Sequence, residues 1–253
     1  MPEEIRVPDQ TPSMSVLDKF IGVISSPGEF FQSVAGTEPK TSNWALPLVL
    51  AIVVSIIFTA VVFNQPAIQD EMLGQQMKQF EKQIAEGKMT QEQADQAMQF
   101  SKPGSAMFLV FGSVGVAVVI VFALFAYTTV YFVAGKVAYK STVSYSKVLE
   151  VNGLGMFIMP VATLVSMVTV IGMGSLFAQP SGALFVSDFD PNNSTHKLLA
   201  ALNVLEFWGL YVTAVALSKV WNVSLGKAFG VVGGVFVVWT LIKVFGGLSL
   251  GGM

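Results

Sequence analysis

The sequence predicts an all-α polytopic membrane helix bundle, with five transmembrane helices, N-terminal interfacial helices and an extracytoplasmic helical hairpin. Three observations carry this. The 253-residue chain is 53% hydrophobic and only 12% charged, roughly half the charged share of a soluble domain. Five apolar runs, at about 44–63, 106–134, 148–178, 198–218 and 228–247, reach the roughly 20 residues that a helix needs to cross hydrocarbon. Between them, lysines gather in alternate connections.

The same composition excludes several function classes. A net charge of −2 gives no basic surface for nucleic acid. The absence of cysteine rules out disulfides, thiolate chemistry and thiolate-bound metals. The opening "MPEEIRVPDQTPS" is acidic, polar and proline-containing, unlike a signal peptide. It reads as a disordered tail over 1–14.

Residues 15–43 come next. In "SVLDKFIGVISSPGEFFQSVAG", Leu17, Phe20, Ile21 and Ile24 fall at helical spacing. Ser26-Pro27-Gly28-Glu29 then combines a capping pattern with proline at the first helical position. Two short amphipathic helices lying in the membrane interface are expected, with a docking surface for a partner as the other reading. The five-span membrane domain, 44–253, follows.

The polar insertion at 64–105 interrupts it. Met72, Met77, Phe80 and Ile84 mark one helix, Gly87 ends it, and Thr90-Gln91-Glu92-Gln93 is a second capping box. Pro103-Gly104 closes the hairpin. Its methionine-rich face suits packing on the bundle or headgroups, or an irregular partner surface.

Lysine placement orients the spans. Residues 135–147 carry Lys136, Lys140 and Lys147 without an acid, whereas 179–197 carry Lys197 against Asp188 and Asp190. A cytoplasmic N-terminus and extracytoplasmic C-terminus follow from the excess of positive charge in short inside loops. Val143-Ser144-x-x-Lys147 and Val223-Ser224-x-x-Lys227 open spans three and five alike, with serine as N-cap and lysine as inside anchor. The echo suggests a parallel duplication of a helical pair. Gly226, Gly230 and Gly234 share one face of span five, where small residues let helix backbones approach. They are assigned to packing within the chain rather than to dimerisation.

Little catalytic chemistry is visible. The sole histidine, His196, has no second histidine or cysteine for a metal. Gly172-Met173-Gly174-Ser175 lacks a base beside its serine. "DFDPNNSTHKLL" starts like a calcium loop, yet has Asn193 and Leu199 where glycine and glutamate are required. Asn193-Ser194-Thr195 is a formal glycosylation sequon. No catalytic residue, cofactor or metal is implied, and the chain reads as non-enzymatic.

One acid stands apart. Glu206 falls within the fourth apolar run, about 3 Å from its middle at 1.5 Å per residue. Reflected through the turn between spans four and five, it comes within one helical turn of Lys243, and Asn203 sits three residues back on its face. Three readings stay open: a proton- or ion-coupling site, a structural pair with Lys243, and a contact with a partner. A lone acid without a relay favours the pair.

Taken together, these stretches resemble bacterial members of the Yip-domain family, proteins that interact with Ypt/Rab-type GTPases. "FIGVISSPGEFF", "VSYSKVLEVNGLGMFIMP" with Pro160, and "LNVLEFWGLYVTAVALSKVWNVSLGKAF" carry the likeness, from about residue 15 onward. The resemblance implies five spans and a cytoplasmic N-terminus, in a bacterial cytoplasmic membrane. Eukaryotic relatives bind Rab-type GTPases and take part in vesicle traffic, and some bacterial members accompany exporters of the MacB type. This chain lacks an Asp-Leu-Tyr-Gly-Pro-like segment and has a short cytoplasmic tail, which argues against GTPase binding. The resemblance gives Glu206 no role. The expected function is a membrane scaffold or accessory subunit, of an ABC-type exporter or a membrane-organisation or stress system. The alternative is a proton- or ion-coupled transporter or channel using Glu206. The expected partners are the lipid bilayer and another membrane protein, with a homo-oligomer left open.

Overall fold

The computed structural model describes residues 14–246; the tail expected over 1–14 lies almost wholly outside them. Every extended secondary-structure element among these residues is helical. Helices α1 (Val16–Ser25) and α2 (Pro27–Ala35) come first. Ser15 caps α1 in a full capping box with Asp18. Pro27 takes the first position of α2, but the Ser26 side chain makes no capping bond.

Span one is α3 (Ser42–Val62). The hairpin consists of α4 (Pro66–Ala85) and α5 (Gln91–Phe100), with Gly87 left-handed at its tip and the Thr90–Gln93 capping box formed. Span two is α6 (Ala106–Tyr139), 34 unbroken residues capped by Ser105. Span four is α10 (Val204–Trp221), and span five is α11 (Leu225–Phe245). Five helical segments are thus long and apolar enough to cross a membrane.

Span three is broken. It consists of α7 (Tyr145–Gly155) and α8 (Ile158–Met173). Proline lacks an amide hydrogen, and its ring clashes with the carbonyl four residues back; for Pro160 that carbonyl belongs to Met156. The chain answers with tighter bonds at the break, Phe157 N–H to Leu154 O and Met159 N–H to Met156 O.

The fourth apolar run is corrected more heavily. Residues 198–218 do not form one helix: α9 (Ser194–Ala201) ends, and α10 restarts at Val204. Asn203 is responsible, because its Oδ1 accepts from the amides of Leu205 and Glu206. An asparagine side chain gains more at such a cap than inside a helix.

The main core gathers around α10. Val212, Val215, Leu217 and Trp221 pack with Phe31 of α2, Val151 and Leu154 of α7, and Val232 of α11. Phe20 of α1 meets Phe157 edge-on, so the amphipathic N-terminal segment belongs to the bundle. Two glycines allow close crossings. A Cβ on Gly153 would lie 2.5 Å from Trp44 Cα, bringing α7 onto α3, and one on Gly135 would lie 2.5 Å from Trp221 Nε1.

Candidate functional site

The strongest polar feature is a clasp built mostly from segments far apart in the sequence. Glu150, on the second turn of α7, is fully buried, and Lys147 and Asn43 are nearly so. Ser144 caps α7 as expected, accepting from the Lys147 amide. The Lys147 side chain then turns inward instead of anchoring in the headgroups. Its Nζ pairs with Glu150 Oε2 and donates to Val34 O at the end of α2 at 3.1 Å.

The other carboxylate oxygen, Glu150 Oε1, accepts from Asn43 Nδ2 at 2.6 Å and from the Lys40 amide at 3.0 Å. Lys19 of α1 donates to Asn43 Oδ1 at 2.7 Å. One carboxylate therefore ties together α1, α2, the α2–α3 connection, α3 and α7. A buried charge is tolerable only when paired and hydrogen-bonded, and here both oxygens are occupied.

A second clasp holds the hairpin. Glu71 of α4 accepts from Ser175 Oγ and from the Leu176 amide, each at 2.7 Å. Ser175 thereby ties the end of α8 to α4. Around Glu71, Ile68 and Met72 pack with Val62 and Val170, seating α4 across the ends of α3 and α8. Beyond this seat, α4 and the 173–192 connection enclose an open groove of about 1150 Å³, lined by Gly74, Lys78, Asp188 and Asn192 among others.

Outside the spans, two carboxyl groups are held below the ordinary carboxylate range. Hydrogen bonds from the Ser15 side chain and backbone do this for Asp18. For Glu86 at the hairpin tip the Lys88 ammonium is responsible, by hydrogen bond and by charge.

The residues singled out in the sequence meet only in part. Glu206 lies in the first turn of α10, not near the middle of a span, where the exposed N–H groups of a helix start favour negative charge. Asn203 bonds its backbone amide at 3.3 Å rather than its carboxylate. Glu206 and Lys243 form no ion pair within 4.0 Å; the ion pairs among the described residues are Lys82–Glu86, Lys88–Glu86 and Lys147–Glu150. Gly226, Gly230 and Gly234 do not perform the packing assigned to them. A Cβ on any of the three would meet nothing within 4 Å. They face outward because α11 turns Ala228, Val232, Thr240 and Val244 to the bundle.

His196 Nδ1 accepts from the Asp190 amide at 3.0 Å, within an ordered connection. No cluster of potential metal ligands occurs among the described residues.

Glu150 and Glu71 are the residues that sequence reasoning missed. Glu150 stands three positions after Lys147, a helical ion-pair spacing that was readable; its other partners lie more than a hundred residues away. Glu71 stands between Ile68 and Met72 on the side of α4 turned to the bundle, with no local signal for its partners.

Neither a curated protein nor a solved structure matched the chain. A family model did: the Yip1 domain matches residues 21–247, which covers α2 to α11, the second half of α1 and both clasps apart from Lys19. With five candidate spans in a bundle, the chain belongs to the Yip1 domain family of membrane proteins.

Proposed function

We propose that the protein is a non-enzymatic membrane scaffold or accessory subunit that presents its two extramembrane units to a partner membrane complex. The observation that carries this is the pair of clasps. Glu150 fixes α1–α2 to one end of the bundle, and Glu71 fixes α4 to the other. Both units are held as shaped surfaces at the membrane. The partner is of the exporter or membrane-organisation class, and the protein resides in a bacterial cytoplasmic membrane. Its N-terminus is cytoplasmic and its C-terminus extracytoplasmic, as the lysine-rich 135–147 connection favours.

Crosslinking in native membranes, then mild-detergent purification and mass spectrometry, tests it. Stoichiometric recovery of exporter subunits, crosslinked to α1–α2 or the hairpin, supports the reading. Recovery of the protein alone, or only with itself, counts against it.

A proton- or ion-coupled path through Glu206 draws on one observation. The buried Thr240 hydroxyl, three residues before Lys243 on α11, has no hydrogen-bond partner among the described residues. Equal proton flux in liposomes holding wild type or Glu206→Gln removes that reading.

A further inference from the structure

The connection between α8 and α10 is more than a link, and its construction is unlike that of the hairpin beside it. We infer that residues 180–204 form an interfacial anchor, inserting Phe185 and its apolar neighbours into the lipid leaflet opposite the N-terminal helices.

The loop closes on itself at its base. Ser181 and Asn203 form an isolated antiparallel bridge; the Gly182 amide donates to Leu202 O at 3.2 Å and the Val204 amide to Pro180 O at 3.1 Å. A Cβ on Gly182 would stand 2.7 Å from Leu199 O, so the backbone crossing there is close. Val204 is the first residue of α10. The base of the loop is thereby fixed where a membrane span begins.

From that base Phe185 cannot go far. It ends the 3₁₀ helix Gly182–Phe185, and three steps at about 2 Å each place it about 6 Å from Gly182. The headgroup layer on one side of a bilayer is roughly 5–8 Å deep, half the difference between the total and hydrocarbon thicknesses. Phe185 therefore stays within the interfacial layer. It is also 90% exposed, the most exposed large apolar side chain among the described residues.

The surroundings fit lipid rather than water. Leu198, Leu202 and Val204 are exposed with it, and α9 packs on α11, whose Leu241, Ile242 and Phe245 are exposed at the same end of the bundle. Exposed apolar side chains of a span and of the loop thus lie at one end of the bundle. Lys197, half-exposed and outside every ion pair among the described residues, supplies a cation for a lipid phosphate. Ser187, Asp188, Asp190 and Asn192 line the groove against α4 instead, beside Val186 and Phe189. The loop is two-faced, as an interfacial segment must be.

The chain contains no cysteine, so single labels need no background removal. Phe185→Cys, Leu202→Cys, Val118→Cys on the exposed face of α6 and Glu92→Cys on α5 would each carry a nitroxide. The protein would be reconstituted in phosphatidylcholine–phosphatidylglycerol vesicles. Power saturation then compares collisions with dissolved oxygen, which enters lipid, and with a nickel chelate, which does not. The expected result is that labels at 185 and 202 follow Val118, with oxygen several-fold ahead of nickel. Labels that follow Glu92 would overturn the proposal, because the loop would be in water. Labels shielded from both reagents would also overturn it, because a protein would cover the loop.

Discussion

Asn43 and Glu150, 107 residues apart, are joined by a 2.6 Å hydrogen bond that closes the junction between α3 and α7. The same carboxylate takes the Lys147 ammonium, so removing one member leaves the other buried without its partner. Loss of one partner of a buried pair costs about 3–5 kcal/mol. Glu150→Ala and Lys147→Met are each expected to lower the detergent melting temperature strongly. The double variant Lys147→Met/Glu150→Leu, which leaves no orphan charge, should recover much of the loss. Single variants that melt like wild type would show that the pair contributes nothing to stability.

Gly153 and Gly230 are a matched contrast. A methyl group at 153 meets the Trp44 backbone, which cannot yield without parting α3 from α7. Overpacking of this kind costs about 1–3 kcal/mol. At Gly230 nothing lies within 4 Å, and alanine there is worth up to about 1 kcal/mol of helix stability. Thermal melts should therefore move in opposite directions for Gly153→Ala and Gly230→Ala. If Gly230→Ala also dissolves a complex seen in native membranes, α11 uses that face between chains.

Glu71→Ala leaves the Leu176 amide and the Ser175 hydroxyl without their acceptor. An abandoned donor of this kind costs about 1–3 kcal/mol. The seat of α4 loosens first, so limited trypsin digestion at Lys78 and Lys82 should accelerate while the spans stay intact. An unchanged digestion rate would mean that the Ile68 and Met72 packing holds the hairpin alone.

Asp18 gives a pH dependence with a definite sign. Its carboxyl is lowered by the Ser15 bonds, so its contribution is whole above the unfolded value, about 3.9. It is lost as pH falls through the lower folded value. A nitroxide at Leu17→Cys should keep one mobility from pH 8 to 5 and loosen only in stronger acid. The same label on an Asp18→Ala background should be looser throughout and insensitive to acid. Loosening between pH 7 and 5 would point to another group.

Spans one, two and five were legible because their signal is local: a long apolar run, with Ser105 to start the second. The hairpin was legible from Gly87 and the Thr90 capping box. Span four misled because its apolar run hides a start signal. Asn203-Val204-Leu205-Glu206 has the cap-to-third-residue spacing of a capping pattern, and the structure uses Asn203 as the cap. Reading that pattern moves Glu206 from mid-span to a helix start. The glycine face of α11 was correctly placed on one side of a helix; which side the bundle covers is decided by Ala228 and Val232, through contacts that spacing alone does not reveal. Glu150 escaped because two of its three partners, Lys40 and Asn43, come from segments far along the chain.

The unbroken length of α6 has a consequence for the bilayer. Its 34 residues extend about 51 Å at 1.5 Å per residue, against a hydrocarbon core of about 30 Å. At one end Ser105 joins it to the hairpin; at the other the Tyr139 hydroxyl donates to Lys227 O, at the start of α11. The surplus of about 20 Å is taken up by tilt or by projection beyond the hydrocarbon. Span three, by contrast, is interrupted just before Pro160. The longest helix among the described residues outreaches the hydrocarbon it crosses.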